Sequence, residues 1–160
     1  MVDRKNLKRE FKLRIYRYVI RLLKFLVKLP NEPVTREIKS QLTRSGTSIG
    51  ANYFEAEGAS SKKDYQNYFT IALKSTNESK FWLAVLKDSN LLPEELKSES
   101  EHLLKETGEI ANIFASSILT MKGKRKFFKF LVYVFSFWFL VFHFSSIRLK
   151  EIRKDNCRSD

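Results

Sequence analysis

Apolar residues near the start of the chain recur every three or four positions: Leu7, Phe11, Ile15, Tyr18, Leu22, Phe25 and Leu29. That period lines one face of a helix and predicts helix 1 over residues 4–29. Pro30-Asn31-Glu32-Pro33 then stops it, and the fixed φ of Pro33 suits the first turn of a second helix. In helix 2, Ile38, Leu42, Ser45, Ile49, Asn52 and Ala56 alternate spacings of four and three, which is the seam of a bundle. Gly58-Ala59-Ser60-Ser61 is the next break. Ser61 followed by Asp64 predicts an N-terminal capping arrangement, with Asp where Glu is usual. Helix 3 is expected from Lys62 to Asp88, with a seam of Tyr65, Phe69, Ala72, Thr76, Ser79, Leu83 and Leu86 that Ile71, Trp82 and Val85 widen. Asn90-Leu91-Leu92-Pro93 ends it. Helix 4 starts near Pro93 with Glu94 and Glu95 at the positive end of its dipole. It carries Leu96, Leu103, Ile110, Phe114 and Ile118 inward and fades at Lys122-Gly123.

One stretch departs from ordinary helix composition. Arg44 to Gly58 reads RSGTSIGANYFEAEG. Gly46 and Gly50 stand one turn apart, and Ser45, Thr47, Ser48 and Ala51 keep the surface small. A helix that surrenders this much intrinsic propensity regains it through close packing. Asn52 and Glu55 are expected where neighbouring helices press closest. The middle of helix 3 is also small and polar (Ala72, Ser75, Thr76, Glu78, Ser79), so the polar centres of helices 2 and 3 are expected to face each other.

Bulk composition narrows the class. With 160 residues, 43% of them hydrophobic, the chain can bury a sizeable core. Three prolines and five glycines are too few for an all-β or disordered chain. The net charge of +12 points to polyanionic partners, nucleic acid or an acidic membrane face. The lone cysteine, Cys157, excludes an internal disulfide and fits a reducing compartment. The N-terminus MVDRKNLKRE has no apolar core of a secretory signal, and the expected location is the cytoplasm, with membrane association through Phe127–Ile147 as the alternative. Helix 1 concentrates the charge. Lys5, Lys8, Lys12, Arg17, Arg21, Lys24 and Lys28 make a basic set that only Asp3 and Glu10 oppose. Such a set is either a solvated outer face or a row of phosphate contacts spaced by helical turns.

Patterns that carry catalytic chemistry are missing. Glu99-Ser100-Glu101-His102 contains Glu-x-x-His, but di-iron bundles need it twice, with glutamates on two other helices. His102 is therefore expected at the surface, with no metal. Glu55 and Glu78 are expected as structural carboxylates bonded to Asn52, Ser75 or Arg44, rather than as a catalytic pair. Ser45 and Ser48 have no histidine base, and Gly46-x-x-x-Gly50 lacks the ending of a phosphate loop. The expectation is a protein without enzymatic activity and without a cofactor.

The string QLTRSGTSIGANYFEAEGASSKKDY, followed by IALKSTNESKFWLAVLK, resembles the bacterial 23S ribosomal RNA intervening-sequence proteins. That family's helix 2 pattern, Ser-Ile-x-x-Asn-x-x-Glu, is matched by Ser48-Ile49-Gly50-Ala51-Asn52-Tyr53-Phe54-Glu55. Its helix 3 pattern, Ala-x-x-Ser-x-x-Glu, is matched by Ala72, Ser75 and Glu78. The turn Gly58-Ala59-Ser60-Ser61-Lys62-Lys63 before an aromatic also fits. The resemblance covers residues 7–121 and is most specific from Arg44 to Glu78. It marks Arg44, Gly46, Ile49, Gly50, Asn52, Glu55, Ala72, Ser75 and Glu78 as structural motif positions. It implies an all-α, up-and-down antiparallel four-helix bundle that assembles as a homopentamer. The fold is similar to that of the accessory proteins of diversity-generating retroelements, which implies contact with nucleic acid and a reverse transcriptase, and no enzyme.

Beyond residues 1–123 the composition changes. FFKFLVYVFSFWFLVFHFSSI, Phe127 to Ile147, is apolar nearly throughout and close to the roughly 20 residues that span a bilayer. Basic residues flank it on both sides, which leaves orientation open. Residues 124–160 are thus expected to hold an additional apolar helix. Three readings stand: a membrane anchor, a helix buried in an oligomer, or a non-native extension. The leading functional expectation is a basic oligomeric bundle that binds nucleic acid, RNA foremost, or scaffolds a nucleic-acid complex. The alternative is a protein-interaction bundle held at the membrane by Phe127–Ile147.

Overall fold

The computed structural model describes residues 3–123, and the segment 127–147 lies outside them. Four helices follow in order: α1, Arg4–Lys28; α2, Pro33–Glu57; α3, Lys62–Asp88; and α4, Glu94–Met121. Each boundary has a local cause. Asp3 caps α1 by accepting from the Lys5 backbone N–H at 3.0 Å. Pro33 opens α2. Ser61 caps α3, its hydroxyl accepting from the Asp64 N–H at 3.1 Å. The Asp64 carboxylate reaches back to the N–H of Ser60, at 3.2 Å, rather than to that of the capping serine, so the reciprocal half of the cap is displaced by one residue. After α3, Asn90 takes the left-handed conformation at φ 54°, which asparagine adopts more readily than most residues.

Contacts between neighbours run in opposite senses. Ser45 bonds Ser79 while Ser48 bonds Ser75, each at 2.8 Å. Arg14 meets Glu106 and Glu109 while Arg21 meets Glu99. The bundle is therefore up-down-up-down, as expected of four helices joined by short turns.

The small stretch of α2 serves two neighbours. Gly46 and Gly50 turn toward Leu22 and Val19 of α1. Ser45 and Ser48 turn toward α3, whose Ser75, Thr76 and Ser79 are buried. The α2 backbone accordingly comes closest to α3 and next to α1, whereas α4 keeps its backbone farther out and meets the others through longer side chains. At one end, Phe11, Tyr53, Phe69 and Phe114 cluster with ring centroids 5.2–6.1 Å apart, edge to face except for the tilted Tyr53–Phe69 pair. Deeper in, the buried Tyr18 hydroxyl lies 2.8 Å from Thr107 Oγ1. Burial pushes the Tyr18 phenol up to about 12. Thr35 Oγ1 and Ser100 Oγ are buried and find no partner among the described residues.

The helical period placed most of the core, with some departures. Leu7, at 51% exposure, lies beyond the packed part of α1, and the stripe begins at Phe11. On α2 the core position falls to Tyr53, and Asn52 is half-buried, bonding back to Ser48. A large aromatic fills the inner position while the amide keeps to the α2–α3 edge. Tyr65 is half-buried, stacked on Phe69 at 4.6 Å. Ile71 is 44% exposed, on the outer side of α3. The remaining expected apolar positions of α4 are all buried.

Candidate nucleic-acid interface

Ten lysines and arginines against one glutamate stand on α1, whereas α4 carries six glutamates against two lysines. These two helices are neighbours, and their charges mesh by period. Arg14 and Arg21 are seven residues apart, as are Glu99 and Glu106, and the antiparallel pairing sets Arg14 on Glu106 and Arg21 on Glu99. Arg21 grips Glu99 with two nitrogens, Nε at 2.6 Å and Nη2 at 2.8 Å. Its Nη1 lies 2.9 Å from His102 Nδ1. The Glu-x-x-His pattern therefore holds a guanidinium, and among the described residues nothing clusters as a metal site. The hydrogen bond from Arg21 holds the Glu99 carboxyl below its ordinary pKa, and the one from Arg14 does the same for Glu109.

The seven basic residues singled out on helix 1 divide into groups. Lys8 and Lys12 turn toward the end of α2, where both pair with Glu57. Lys12 also lies over the Phe54 ring, 4.6 Å from its centroid. The Lys12 hydrogen bond lowers the Glu57 pKa. Arg21 is committed to α4. Lys5, Arg17, Lys24 and Lys28 have no ion pair among the described residues. Arg17, Lys24 and Lys28 are exposed and share one flank of α1, with Arg21 between them. Beside this row opens a cleft of about 430 Å³, lined by Arg21, Lys24 and Lys28 from α1 and by Glu95 and Glu99 from α4. Arg14, which sequence reasoning passed over, is an anchor of the α1–α4 contact. Its signal was the shared seven-residue spacing of arginines and glutamates.

The motif positions mostly gather along the α2–α3 edge. Ile49 and Ala72 are in the core. Gly46 and Gly50 meet α1. Ser75 bonds Ser48, which in turn accepts from Asn52 at 3.0 Å. Arg44 reaches across to Glu78 at 2.6 Å and also bonds Gln41. Glu78 is half-buried and Arg44 is one of the partners expected for it. Glu55 does not sit where helices press closest: it is exposed, one turn beyond Asn52, because the inward angle there belongs to Tyr53 and Ala56. No helix among the described residues is long and apolar enough to cross a membrane.

Comparison with known proteins agrees with this architecture. The family described as 23S rRNA-intervening sequence protein matches residues 10–115. A solved structure of a protein of unknown function from the S23 ribosomal protein family of Bacteroides thetaiotaomicron is similar, with a TM-score of 0.61 and 33% identity, over 69% of this chain and 96% of that one. No curated protein matches.

Proposed function

The chain belongs to the family of 23S rRNA-intervening sequence proteins, and from that premise we propose that it is a non-enzymatic bundle that binds RNA in the cytoplasm through phosphate contacts on α1. The observation that supports the reading is the flank formed by Arg17, Arg21, Lys24 and Lys28, three of whose cations have no ion pair among the described residues. They repeat along the helix at about one turn, 5.4 Å. A row of this kind positions a polyanion without reading its bases. Lys8 and Lys12 are compensated by Glu57 and contribute less. A homo-oligomer would present several such rows to one strand and strengthen binding through effective concentration. Light scattering on the full chain tests that assembly.

Salt dependence tests the binding itself. With about four phosphates neutralised, log Kobs for single-stranded RNA falls against log[salt] with a slope of about −3. Anisotropy of a labelled oligoribonucleotide between 50 and 200 mM salt (roughly the range where such losses are read) measures it. Arg17→Glu with Lys24→Glu and Lys28→Glu should flatten the slope by about two, and Lys8→Glu with Lys12→Glu should change it less. No binding at the lowest salt refutes the proposal.

A further inference from the structure

The cleft between α1 and α4 carries both signs of charge, which a site for phosphate alone does not need. Lys24 and Lys28 stand exposed on its α1 side, and Glu95 and Glu99 on its α4 side. Two buried side chains, Phe25 and Leu96, also line it. Its two carboxylates differ. Glu99 is taken by Arg21, whose guanidinium is held by bonds of 2.6 and 2.8 Å from that carboxylate and lies 2.9 Å from His102 Nδ1. Glu95 is exposed and has no ion pair among the described residues. The volume of about 430 Å³ falls in the range of about 300–1,000 Å³ that small-molecule sites occupy.

We propose that this cleft takes one unpaired RNA base, guanine before the others, with Glu95 on the donor edge of the base and a lysine of α1 on its acceptor edge. The proposal rests on the RNA reading and adds to it a choice of base, which the row of cations alone does not make. A phosphate in the cleft would meet two carboxylates as like charges. A nucleobase is neutral and carries donors and acceptors on its edges, so it suits a wall of each sign. An ionised carboxylate only accepts. Guanine offers it two parallel donors, N1–H and the N2 amine, which match the two oxygens of Glu95. Its O6 and N7 then accept from Lys24 or Lys28, and Arg17 and the other lysine remain for the backbone. Adenine and cytosine offer a single amine. Uracil flanks its one N–H with two carbonyl oxygens, which a carboxylate repels. Arg21 adds a surface to stack on, because Glu99 fixes its planar guanidinium beside the cleft. An unpaired base can enter such a site, whereas a base within a duplex has its edge occupied.

The experiment uses the full chain and three labelled hexaribonucleotides: all uridine, the same with one central guanosine, and the same with inosine there, whose base lacks the N2 amine. The guanosine oligonucleotide should bind at least about tenfold more tightly than the all-uridine one, and the inosine one should fall between them. Glu95→Gln should shrink the guanosine preference to about twofold or less, while binding of the all-uridine oligonucleotide holds or rises because a negative charge has left. Misfolding cannot mimic that split, since it weakens both. Glu94→Gln removes a charge from the same helical turn, at a residue paired with Lys97 and outside the cleft lining. It should act on both oligonucleotides alike and keep the preference. Equal binding of the three oligonucleotides overturns the proposal and leaves the RNA reading standing. A preference that survives Glu95→Gln, or a loss of both oligonucleotides alike in that variant, also overturns it. Binding of none of the three at low salt refutes the RNA reading, and the proposal with it.

Discussion

Replacing glycines by alanine at three helical positions should give three different results, and the differences measure the close approach of α1 and α2. In a helix interior, Gly→Ala stabilises by about 0.8–1.0 kcal/mol through propensity alone. At Gly108 of α4 nothing lies within 4 Å of the added Cβ, so Gly108→Ala should show nearly the whole gain. At Gly50 the Cβ would stand 3.3 Å from Val19 Cγ2, tight but at a half-buried site that can give slightly, so the change should be close to neutral. At Gly46 the Cβ would stand 2.2 Å from Leu22 Cδ2. Leu22 is 1% exposed and held between helices, so its branch can leave only by an off-rotamer shift or by parting the backbones. Overpacking of this kind costs about 1–3 kcal/mol, which offsets the propensity gain and leaves Gly46→Ala between neutral and roughly 2 kcal/mol destabilised. Denaturant unfolding of the three variants measures the order Gly108→Ala, Gly50→Ala, Gly46→Ala from most to least stable. A double-mutant cycle with Leu22→Val, which removes the obstructing methyl group, should show a favourable coupling of about 1 kcal/mol. If Gly46→Ala stabilises as much as Gly108→Ala, or if the cycle shows no coupling, the close-packing account of the small α2 stretch is wrong.

Ser100→Ala should be neutral or raise the thermal midpoint by a few degrees, because its hydroxyl is fully buried without a partner among the described residues, and burying an unsatisfied hydroxyl costs about 1–3 kcal/mol. Alkaline titration should weaken the fold between the ordinary tyrosine pKa near 10 and about 12. The folded state holds Tyr18 neutral, so its contribution is complete below pH 10 and is lost as pH rises through 12, a change of about 2–3 kcal/mol. Tyr53, which burial also pushes up to about 12, weakens the fold in the same window, so Tyr18→Phe should remove only part of the slope in urea unfolding followed by circular dichroism. At the acid end, Glu57, Glu99 and Glu109 have lowered pKa values, so their stabilisation is present above the ordinary glutamate pKa and fades as pH falls through the depressed values. Arg21→Ala should shrink this acid-side loss, and a pH series of unfolding midpoints for the two proteins checks it.

Period and punctuation in the sequence determined the elements. Helix propensity, the prolines at 30, 33 and 93, and the Ser61 cap mark boundaries by local sterics and hydrogen bonding, so α3 falls where reading the chain put it and the other helices lie within a residue or two. The four-and-three seams of α2, α3 and α4 are equally local, since 3.6 residues per turn decides which side chains share a face. The small, polar character of Arg44 to Glu78 likewise announced close packing of α2 on α3, which Ser45–Ser79 and Ser48–Ser75 realise. Only the tertiary structure decided which cations on α1 are spent. A linear string shows Lys8, Lys12, Arg17 and Arg21 as one basic series. Glu57 and Glu99 meet them from α2 and α4 because antiparallel packing brings distant positions together, and that leaves Arg17, Lys24 and Lys28 without ion pairs among the described residues. On α1 the period picked the buried stripe in advance, and what the packing added is the fate of the remaining apolar positions. The bundle buries Ile15, Tyr18, Leu22 and Phe25 and leaves Leu13, Tyr16, Ile20 and Val27 outward, because one helix can present only one face to three neighbours.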